Sequence, residues 1–366
     1  MKVLHLCSDY YNMYGNLMRR EINRGIDISV FQFISKKKEI EFNEDFLDTF
    51  KCFNEIDRYF FLVKETKVLK TLYKKYKLNE FDYVHAHTIF TNGYLAYKLK
   101  KEINLSYCVA AVNTDINVFF RLRPNLKSIG LNILRYADKI IFHSLAYRDY
   151  MVNKYIPNSL QDMILAKSVI IPLGIEDVFQ KNIYNGKRKR ESTLKIITVS
   201  NITGNKNHIS VCKALEILQK QNFQVEYTII GKVLEPNRLA EVKKFSFVKH
   251  LSYMTQNELI DVYRNSDIFV MPSIFETFGM VYAEAMSQGL PVIYSKGQGF
   301  DQQFSDGEVG FSVDATNYND IANAIKKIVV NYDNISGRCI QLVEKFDWEV
   351  ITDKYLELYN MSIIKN

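Results

Sequence analysis

Two glutamates lie eight positions apart in an otherwise apolar segment, residues 273–291, which reads SIFETFGMVYAEAMSQGLP. The segment follows a predicted strand, and its pattern predicts a helix over 278–288 that ends before Gly289. Glu276 then comes just before the helix and Glu284 two turns inside it. Because eight residues are a little over two helical turns, both carboxylates can face the same side.

Carboxylates in such a setting need hydrogen-bond donors, because an unpartnered buried charge is strongly destabilising. Hydroxyl groups of a sugar or a ribose are suitable donors for Glu276 and Glu284. The backbone N–H groups of Phe278, Gly279 and Met280 could donate to a phosphate or sugar oxygen. The alternative is a purely structural helix, with one glutamate favoured by the helix dipole and the other in a salt bridge.

Two histidines, His85 and His87, alternate along a predicted strand over 82–87, so their side chains share one face at its carboxyl end. They could form a metal-binding pair, but no third ligand is evident in the sequence, and zinc is not expected. A buried structural role is the alternative for both.

Short β-rich runs alternate with longer amphipathic segments, a pattern typical of βαβ units. Such units form a mostly parallel sheet with helices on both faces, so the predicted fold class is α/β. The sequence predicts a Rossmann-like domain over 1–180, a polar linker over 181–193, a second Rossmann-like domain over 194–345 with a cleft between the two, and a helix over 346–366. The predicted strands are 2–7, 27–33, 82–87, 107–112, 139–144, 168–173, 194–200, 225–231, 247–252, 267–273 and 291–295.

The composition is that of a globular protein, since 47% of the 366 residues are hydrophobic and 24% are charged. The longest apolar runs are too short to span a membrane, and the first residues predict a strand rather than a signal peptide. Five scattered cysteines without a C-x-x-C pair favour a reducing cytoplasm and argue against structural zinc.

The net charge of +7 is concentrated in the first half of the chain. Residues 1–180 hold 26 Lys and Arg against 20 Asp and Glu, whereas residues 181–366 hold 22 against 21. The basic stretches 35–39 and 64–77 could contact anionic lipid headgroups or an acidic acceptor, or could be solvated helix faces. No nucleic-acid-binding motif accompanies them, so nucleic acid is not a predicted partner.

The segment MPSIFETFGMVYAEAMSQGLPVI resembles the E-x7-E signature of retaining GT-B glycosyltransferases, family four of the group 1 type. VIIPLGIEDVF, YTIIGK and DGEVGFSV are similar to further segments of that family and occur in the same order. The stretch 84–120 resembles the family's amino-terminal domain. The resemblance extends over nearly the whole chain and implies the GT-B fold, an α/β architecture of two Rossmann-like domains.

The resemblance implies a role for each donor-site residue. Glu276 would approach the donor sugar and Glu284 the ribose hydroxyls. Lys206 would neutralise the leaving diphosphate, while Asn201 stands where the family usually has an arginine. The implied donor-binding set is Asn201, Lys206, Glu276, Thr277, Phe278, Gly279, Met280 and Glu284.

In the first domain the resemblance implies an acceptor or phosphate site near Gly15, His87 and Asn113. Many family members carry a histidine near the reacting carbon where this chain has Asn113, and an amide can hold a sugar hydroxyl but cannot act as a base. A front-face mechanism, in which the leaving phosphate takes the acceptor proton, does not need that histidine. Gly15, in a predicted turn, would let the backbone approach a phosphate, and His87 would line the acceptor side of the cleft.

The implied activity is the transfer of a hexose from a UDP-, GDP- or ADP-sugar to a hydroxyl of a glycan or lipid-linked glycan, as in polysaccharide, lipopolysaccharide or glycolipid biosynthesis. No D-x-D motif is present, and neither a divalent metal nor another cofactor is expected. The C-terminal helix would pack back on the first domain, and the enzyme would be cytoplasmic, with peripheral contact to the inner face of the cytoplasmic membrane. The alternatives are a non-catalytic subunit that binds nucleotide sugar or glycan, motivated by Asn113 and Asn201, and a nucleotide-sugar epimerase.

Overall fold

A computed structural model describes residues 1–363 of the chain, which form two compact units, each built on a parallel sheet. The predicted α/β class with two Rossmann-like domains is therefore confirmed. Unit 1 comprises residues 1–143, 148–171 and the described residues from 348 onward, and unit 2 comprises 144–147 and 172–347.

The sheet of unit 1 has the strand order β3-β2-β1-β4-β5-β6-β7. Its central strands are almost entirely buried, as expected of a parallel sheet covered by helices. The chain order reverses between β1 and β4, which creates a topological switch point at the carboxyl ends of these strands. The strands are β1 (Lys2–Cys7), β2 (Asp27–Ser35), β3 (Leu47–Phe53), β4 (Tyr83–Ala86), β5 (Tyr107–Ala110), β6 (Lys139–Phe142) and β7 (Ser168–Ile170).

Six helices precede the end of β7 in the described chain, and they are α1 (Asn12–Asn23), α2 (Phe61–Lys75), α3 (Thr91–Ile103), α4 (Lys127–Tyr136), α5 (Leu145–Tyr155) and α6 (Asn158–Lys167). The acidic Asp115, buried after β5, begins a short π-helical turn.

The sheet of unit 2 has the order β10-β9-β8-β11-β12-β13, and its switch point lies between β8 and β11. Its strands are β8 (Leu194–Val199), β9 (Val225–Ile230), β10 (Val248–Leu251), β11 (Ile268–Met271), β12 (Val292–Ser295) and β13 (Gly310–Val313). Its helices are α7 (Asp177–Lys181), α8 (His208–Lys220), α9 (Pro236–Val242), α10 (Gln256–Arg264), α11 (Met280–Ser287), α12 (Tyr318–Val330) and α13 (Tyr332–Leu342).

The last helix, α14 (Trp348–Ile363), lies in unit 1 and packs against α1. Its apolar face joins the core around β1. The Tyr359 hydroxyl donates to Glu21 Oε1 at 2.9 Å, and Arg20 Nε donates to Glu349 at 2.7 Å. Apolar contact and polar anchors therefore hold this helix in unit 1. Within residues 1–363, no helix combines the length and the apolar character that crossing a bilayer requires.

Two strands differ from the sequence prediction, because neither β3 nor β13 is predicted. β3 is an edge strand in which only the last residue is buried, so it lacks a continuous apolar run. β13 has four residues and begins at Gly310, a residue depleted in strands. The boundary between the units also falls at residue 171 rather than 180, and the predicted linker 181–193 lies within unit 2.

One buried side chain explains why the predicted linker packs with unit 2. Arg188 is only 9% exposed. Its guanidinium donates to the backbone carbonyls of Gln288 at 2.8 Å and Arg264 at 3.0 Å, and also to that of Ser266. Arg264 is the last residue of α10, so the guanidinium satisfies carbonyls that a helix end leaves without partners. The linker segment is thereby anchored to the body of unit 2.

Arg188→Ala should destabilise the protein by about 3 kcal/mol, because several buried carbonyls lose their donor at once. Urea unfolding followed by circular dichroism measures this loss. Arg188→Lys should recover only part of it, since an ammonium group cannot reproduce the planar donor fork. The exposed neighbour Lys189→Ala is the matched control and should unfold like the wild type. Equal stability of Arg188→Ala and Lys189→Ala would contradict this anchoring role.

Candidate active site

A cavity of about 490 Å³ opens in unit 2 at the carboxyl edge of its sheet, where the strand order reverses. The ends of β8, β9, β10 and β11 and the segments that follow them contribute to its walls. All members of the predicted donor set line this one cavity, namely Asn201, Lys206, Glu276, Thr277, Phe278, Gly279, Met280 and Glu284.

An ion pair between Lys206 and Glu276 connects two walls of the cavity. Lys206 belongs to a short turn after β8, and Glu276 to the loop after β11. Lys206 Nζ donates to Glu276 Oε2 at 2.7 Å, and the two side chains are 23% and 15% exposed. Because water screens this pair less than a surface pair, its attraction is correspondingly stronger. The cavity wall thus presents a cation and a carboxylate side by side.

The loop that carries Glu276 is held by amide side chains. Asn205 donates through Nδ2 to the Phe275 carbonyl and accepts through Oδ1 from the Phe275 N–H, each at 3.0 Å. The Glu276 N–H donates to Gln298 Oε1 at 3.0 Å. Neither Asn205 nor Gln298 was predicted from the sequence as a positioning residue. The available signal for Asn205 was an amide side chain next to the candidate lysine, in a loop that follows a strand.

Helix α11 begins at Met280, two residues later than predicted, so Glu284 lies about one turn inside the helix rather than two. The cause is Gly279, which has φ 80° and precedes the helix as its N-cap. A Cβ atom at this position would lie 2.5 Å from the Tyr282 ring and 3.2 Å from Glu276 Cγ. Only glycine fits this left-handed conformation and this contact without strain.

Three backbone donors are available at this helix start. Among the described residues, the N–H groups of Phe278, Gly279 and Met280 have no hydrogen-bond acceptor. All three residues line the cavity. Since the N-terminus of a helix carries partial positive charge, the arrangement suits an anionic oxygen.

Glu284 is only 8% exposed and lines the same cavity. Burial, and to a smaller extent the charge of Glu176, raises the pKa of the Glu284 carboxyl to about 7, against an opposing effect of the Tyr263 hydroxyl. The ligand-free protein therefore holds this carboxyl partly protonated at neutral pH. Hydroxyl donors from a ligand would favour its charged form.

The apolar part of the cavity wall was not predicted from the sequence; it includes Leu173, Tyr253, Met254 and Leu259. Tyr253 follows β10 and is 65% exposed. The ammonium of Lys232 lies 5.3 Å from the centre of its ring. An aromatic residue directly after the predicted strand 247–252 was the available signal, because ligands of open parallel sheets bind at strand carboxyl ends.

In unit 1, His85 and His87 lie next to a third histidine, His5 of β1. A third candidate ligand that was not evident in the sequence is therefore present, because parallel pairing places His5 opposite His85. His5 Nδ1 lies 3.1 Å from His87 Nε2, and His5 Nε2 lies 3.1 Å from Glu21 Oε2. Burial, with smaller effects of neighbouring imidazoles, holds the pKa of both His85 and His87 well below the usual range, so both are neutral.

One ring nitrogen from each of the three histidines lies within 4.8 Å of the others, a spacing that could hold a metal ion. However, the rings of His85 and His87 are stacked, with centres 4.1 Å apart and planes inclined by 23°. Metal-binding lone pairs lie in the ring planes, so these two rings do not converge on one ion in this arrangement. The cluster is better described as a buried hydrogen-bonded network.

Gly15 lies inside α1 rather than in the predicted turn. Its N–H donates to the Tyr11 carbonyl at 3.3 Å, so a phosphate could use this donor only by breaking that bond. The neighbouring Tyr14 ring lies 4.5 Å from the His87 ring. Gly15 and His87 therefore belong to one region of unit 1.

Asn113 is exposed after β5, and its side-chain oxygen accepts a hydrogen bond from the Asn117 amide. The buried Asp115 holds the surrounding loop, because its carboxylate accepts from the backbone N–H groups of Val112 and Ile89, each at 3.0 Å. Asn113 is thus presented to solvent by a fixed loop.

Comparison with known proteins identifies the family of the segment that carries the cavity. Residues 179–344 match the family described as glycosyl transferases group 1. This segment is therefore similar to the group 1 glycosyltransferases. The matched segment contains Lys206, Glu276 and Glu284, and the predicted family resemblance is confirmed for it.

Two curated relatives are glycosyltransferases by name. D-inositol 3-phosphate glycosyltransferase from Rhodococcus jostii is 33% identical over 120 residues, which are 32% of this chain and 26% of the relative. The uncharacterized glycosyltransferase MJ1178 from Methanocaldococcus jannaschii is 24% identical over 377 residues, which cover 95% of both chains. The chain therefore spans about a quarter of the first relative and nearly all of the second.

Solved structures share the whole fold. Sucrose-phosphate synthase from Thermosynechococcus elongatus has a TM-score of 0.75 at 17% identity, covering 100% of both chains. The Anabaena protein Alr3699/HepE, solved in complex with UDP and glucose, has a TM-score of 0.67 at 17% identity, covering 99% of this chain and 100% of that one. These similarities confirm the predicted GT-B fold.

Glu284→Gln should change the pH dependence of stability in the ligand-free protein. The folded pKa of about 7 exceeds the ordinary value of 4.5, so the folded state binds more protons than the unfolded state between these values. The stability contributed by protonated Glu284 is present below pH 4.5 and is lost as the pH rises to about 7. Relative to wild type, Glu284→Gln should gain on the order of 2 kcal/mol between pH 5 and pH 8.

Urea titrations at a series of pH values measure this difference. The matched control is Glu216→Gln, whose side chain is 50% exposed and should show no such gain. A constant difference between wild type and Glu284→Gln across the pH range would contradict the raised pKa.

Proposed function

We propose that the protein is a retaining glycosyltransferase that moves a hexose from a nucleotide sugar to a hydroxyl of a glycan or lipid-linked glycan. The observation that carries the proposal is the cavity of unit 2, where a Lys206–Glu276 ion pair, free N–H groups before α11 and the buried Glu284 face one space. The group 1 match over residues 179–344 supports it.

The donor would occupy this cavity through groups of complementary charge. Lys206 and the N–H groups of Phe278, Gly279 and Met280 donate to the diphosphate. Glu276 accepts hydrogen bonds from the hexose hydroxyls. The structural neighbour that binds UDP and glucose makes a UDP-hexose the first donor to test, with GDP- and ADP-hexoses beside it.

The other end of the donor is a nucleoside. Glu284 accepts hydrogen bonds from the ribose hydroxyls, which offset the desolvation of its carboxylate. The exposed Tyr253 ring provides a surface on which the base stacks.

The chemical step would follow a front-face course. The bond between the anomeric carbon and the leaving phosphate oxygen breaks, and that oxygen takes the proton of the acceptor hydroxyl. The hydroxyl oxygen bonds to the anomeric carbon on the same face, which retains the configuration. Lys206 stabilises the charge that develops on the diphosphate, and Asn201 contributes an amide donor. These groups supply the positive electrostatics, so we propose that no divalent metal is required.

The acceptor would be held by unit 1, where the exposed Asn113 amide can bind a hydroxyl. His87 is buried and would position its neighbours rather than contact the sugar. We place the enzyme in the cytoplasm, in peripheral contact with the cytoplasmic membrane.

Glu276→Gln should lower turnover at least a hundredfold, because the amide keeps the size of the carboxylate but loses its charge and its partner Lys206. Release of nucleoside diphosphate is measured with UDP-, GDP- and ADP-hexoses and a panel of acceptors, with and without EDTA.

Glu284→Gln should weaken donor binding about tenfold while changing turnover at saturation less. Glu216→Gln is the matched control, because this exposed helix residue does not line the cavity, and it should behave like wild type.

Unchanged turnover in Glu276→Gln would contradict its role at the sugar. A product of inverted anomeric configuration, read by NMR, would overturn retention, and loss of activity in EDTA would overturn metal independence. Sugar-nucleotide binding without turnover for any donor and acceptor would instead indicate a non-catalytic subunit.

A further inference from the structure

A second cavity, of about 240 Å³, lies in unit 1 at the carboxyl edge of its sheet. Side chains after β1, β2, β4 and β5 line it, so it surrounds the switch point between β1 and β4. Its walls contain four cations, Lys38, Arg58, Lys64 and Arg123, but only one carboxylate, that of Asp9. Four phenylalanine rings and three hydroxyl side chains complete most of the lining. The cavity therefore suits a small anion attached to an apolar group.

The positive charge of the cavity is incompletely neutralised. Lys38 Nζ lies 3.6 Å from Asp9, a long contact, and Arg58 Nε lies 2.9 Å from Glu55 in an exposed pair. Among the described residues, Arg123 has no carboxylate within ion-pair distance. An anionic ligand would supply the missing partner.

Lys64 adds a further incompletely neutralised cation. Its Nζ lies 3.0 Å from Glu65 Oε1, but burial raises the pKa of Glu65 to about 7, so that carboxyl is partly protonated at neutral pH. The ammonium also lies 5.3 Å from the ring centre of Phe53. Aromatic packing thus holds this cation at the cavity wall without removing its charge.

Exposed apolar side chains lie in the two chain segments that contribute Arg58, Phe61, Lys64, Phe119 and Arg123 to the cavity. We call them the rim: Ile56, Tyr59, Phe60, Leu62, Val63 and Leu122. Each is between 48% and 75% exposed. The rings of Phe61 and Phe119 have centres 5.8 Å apart, which brings the two chain segments of the rim together. A cluster of exposed apolar residues beside cations is typical of a surface that enters the headgroup region of a membrane.

We propose that this cavity binds the phosphate of a membrane lipid headgroup while the rim inserts among the lipid chains, so that the acceptor is a phosphate-bearing lipid. The identification of this lipid as the acceptor rests on the proposed function, whereas the lipid site itself does not. The cations match the phosphate charge, and the rim matches the apolar part of the same molecule. A soluble phosphorylated sugar would use the cations but would leave the rim exposed.

Vesicle sedimentation of the full chain tests the proposal, with vesicles of phosphatidylcholine alone and of phosphatidylcholine mixed three to one with phosphatidic acid. The wild type should bind the mixed vesicles. Since each cation near an anionic surface strengthens binding about fivefold, Arg58→Ala with Arg123→Ala should weaken it about twenty-five-fold. Phe60→Ser with Leu122→Ser should weaken vesicle binding at least tenfold, because the variant lacks two large apolar side chains that the wild type transfers from water into the membrane.

Matched controls remove the same groups from unit 2. Lys220→Ala with Lys244→Ala removes two exposed cations, and Val330→Ser removes a side chain that is 88% exposed. Both controls should bind vesicles within about twofold of wild type. The far-UV circular dichroism spectrum and the urea unfolding midpoint should be unchanged in every variant, which shows that both units remain folded.

Wild-type vesicle binding by the rim variant would overturn the lipid assignment. If Lys220→Ala with Lys244→Ala weakened vesicle binding as much as Arg58→Ala with Arg123→Ala does, the attraction would be a diffuse effect of net charge. That result would overturn the role of the cavity. A third outcome is that the wild type does not bind vesicles but binds inorganic phosphate in calorimetry, and that Arg58→Ala with Arg123→Ala abolishes this phosphate binding. That outcome would assign the cavity to a soluble phosphate compound instead. A protein that binds vesicles as expected but releases no nucleoside diphosphate would contradict the proposed function and leave the lipid site standing.

Discussion

The cavity of unit 2 depends on the largely buried ion pair between Lys206 and Glu276, which joins the loops that leave the two central strands of the unit 2 sheet. Loops beyond a parallel sheet have no neighbouring strand to bond to, so their backbone groups need side-chain partners. Asn205 and Gln298 provide these partners and fix the loop of Glu276 before a ligand arrives. An anionic diphosphate can then take the place of Glu276 as the partner of Lys206. A sugar hydroxyl can take the place of Lys206 as the hydrogen-bond donor to Glu276. The site therefore requires little rearrangement of its charges on binding.

Glu284 illustrates a conflict between stability and ligand binding. Its neighbours Ala283 and Ala285 are fully buried, and α11 is otherwise apolar enough to be a core helix. An aliphatic residue at position 284 would avoid the cost of desolvating a carboxylate. Burial is the main cause of the raised pKa of Glu284, which follows from the same desolvation. A ligand that donates hydrogen bonds to the carboxylate recovers part of the cost, so the same feature that weakens the empty protein strengthens its complex.

The buried strands were predictable from local apolar patterns, and the residues that line the unit 2 cavity were predictable from the resemblance of one continuous segment to a known family. The apolar run of β11 and the glutamates that follow it lie within one continuous segment. Features that depend on pairing or on backbone dihedrals were not predictable in this way. The third histidine, His5, reaches His85 only through the register of two parallel strands separated by about eighty residues. The later start of α11 follows from the positive φ of Gly279, which a helical pattern does not reveal.

The two units show how one topology can serve different ligands. Each sheet reverses its strand order beside its first strand, and each has a cavity at that position. The parallel strands determine where the cavity lies, since their carboxyl ends separate there. The segments that follow the strands determine what it binds, because they carry the charged side chains that line each cavity. In unit 2 a cation paired with a carboxylate suits a ligand that carries both anionic and hydroxyl groups. In unit 1 an excess of cations among phenylalanine rings suits an anion joined to an apolar chain, so the difference between the cavities follows from loop chemistry and not from the fold.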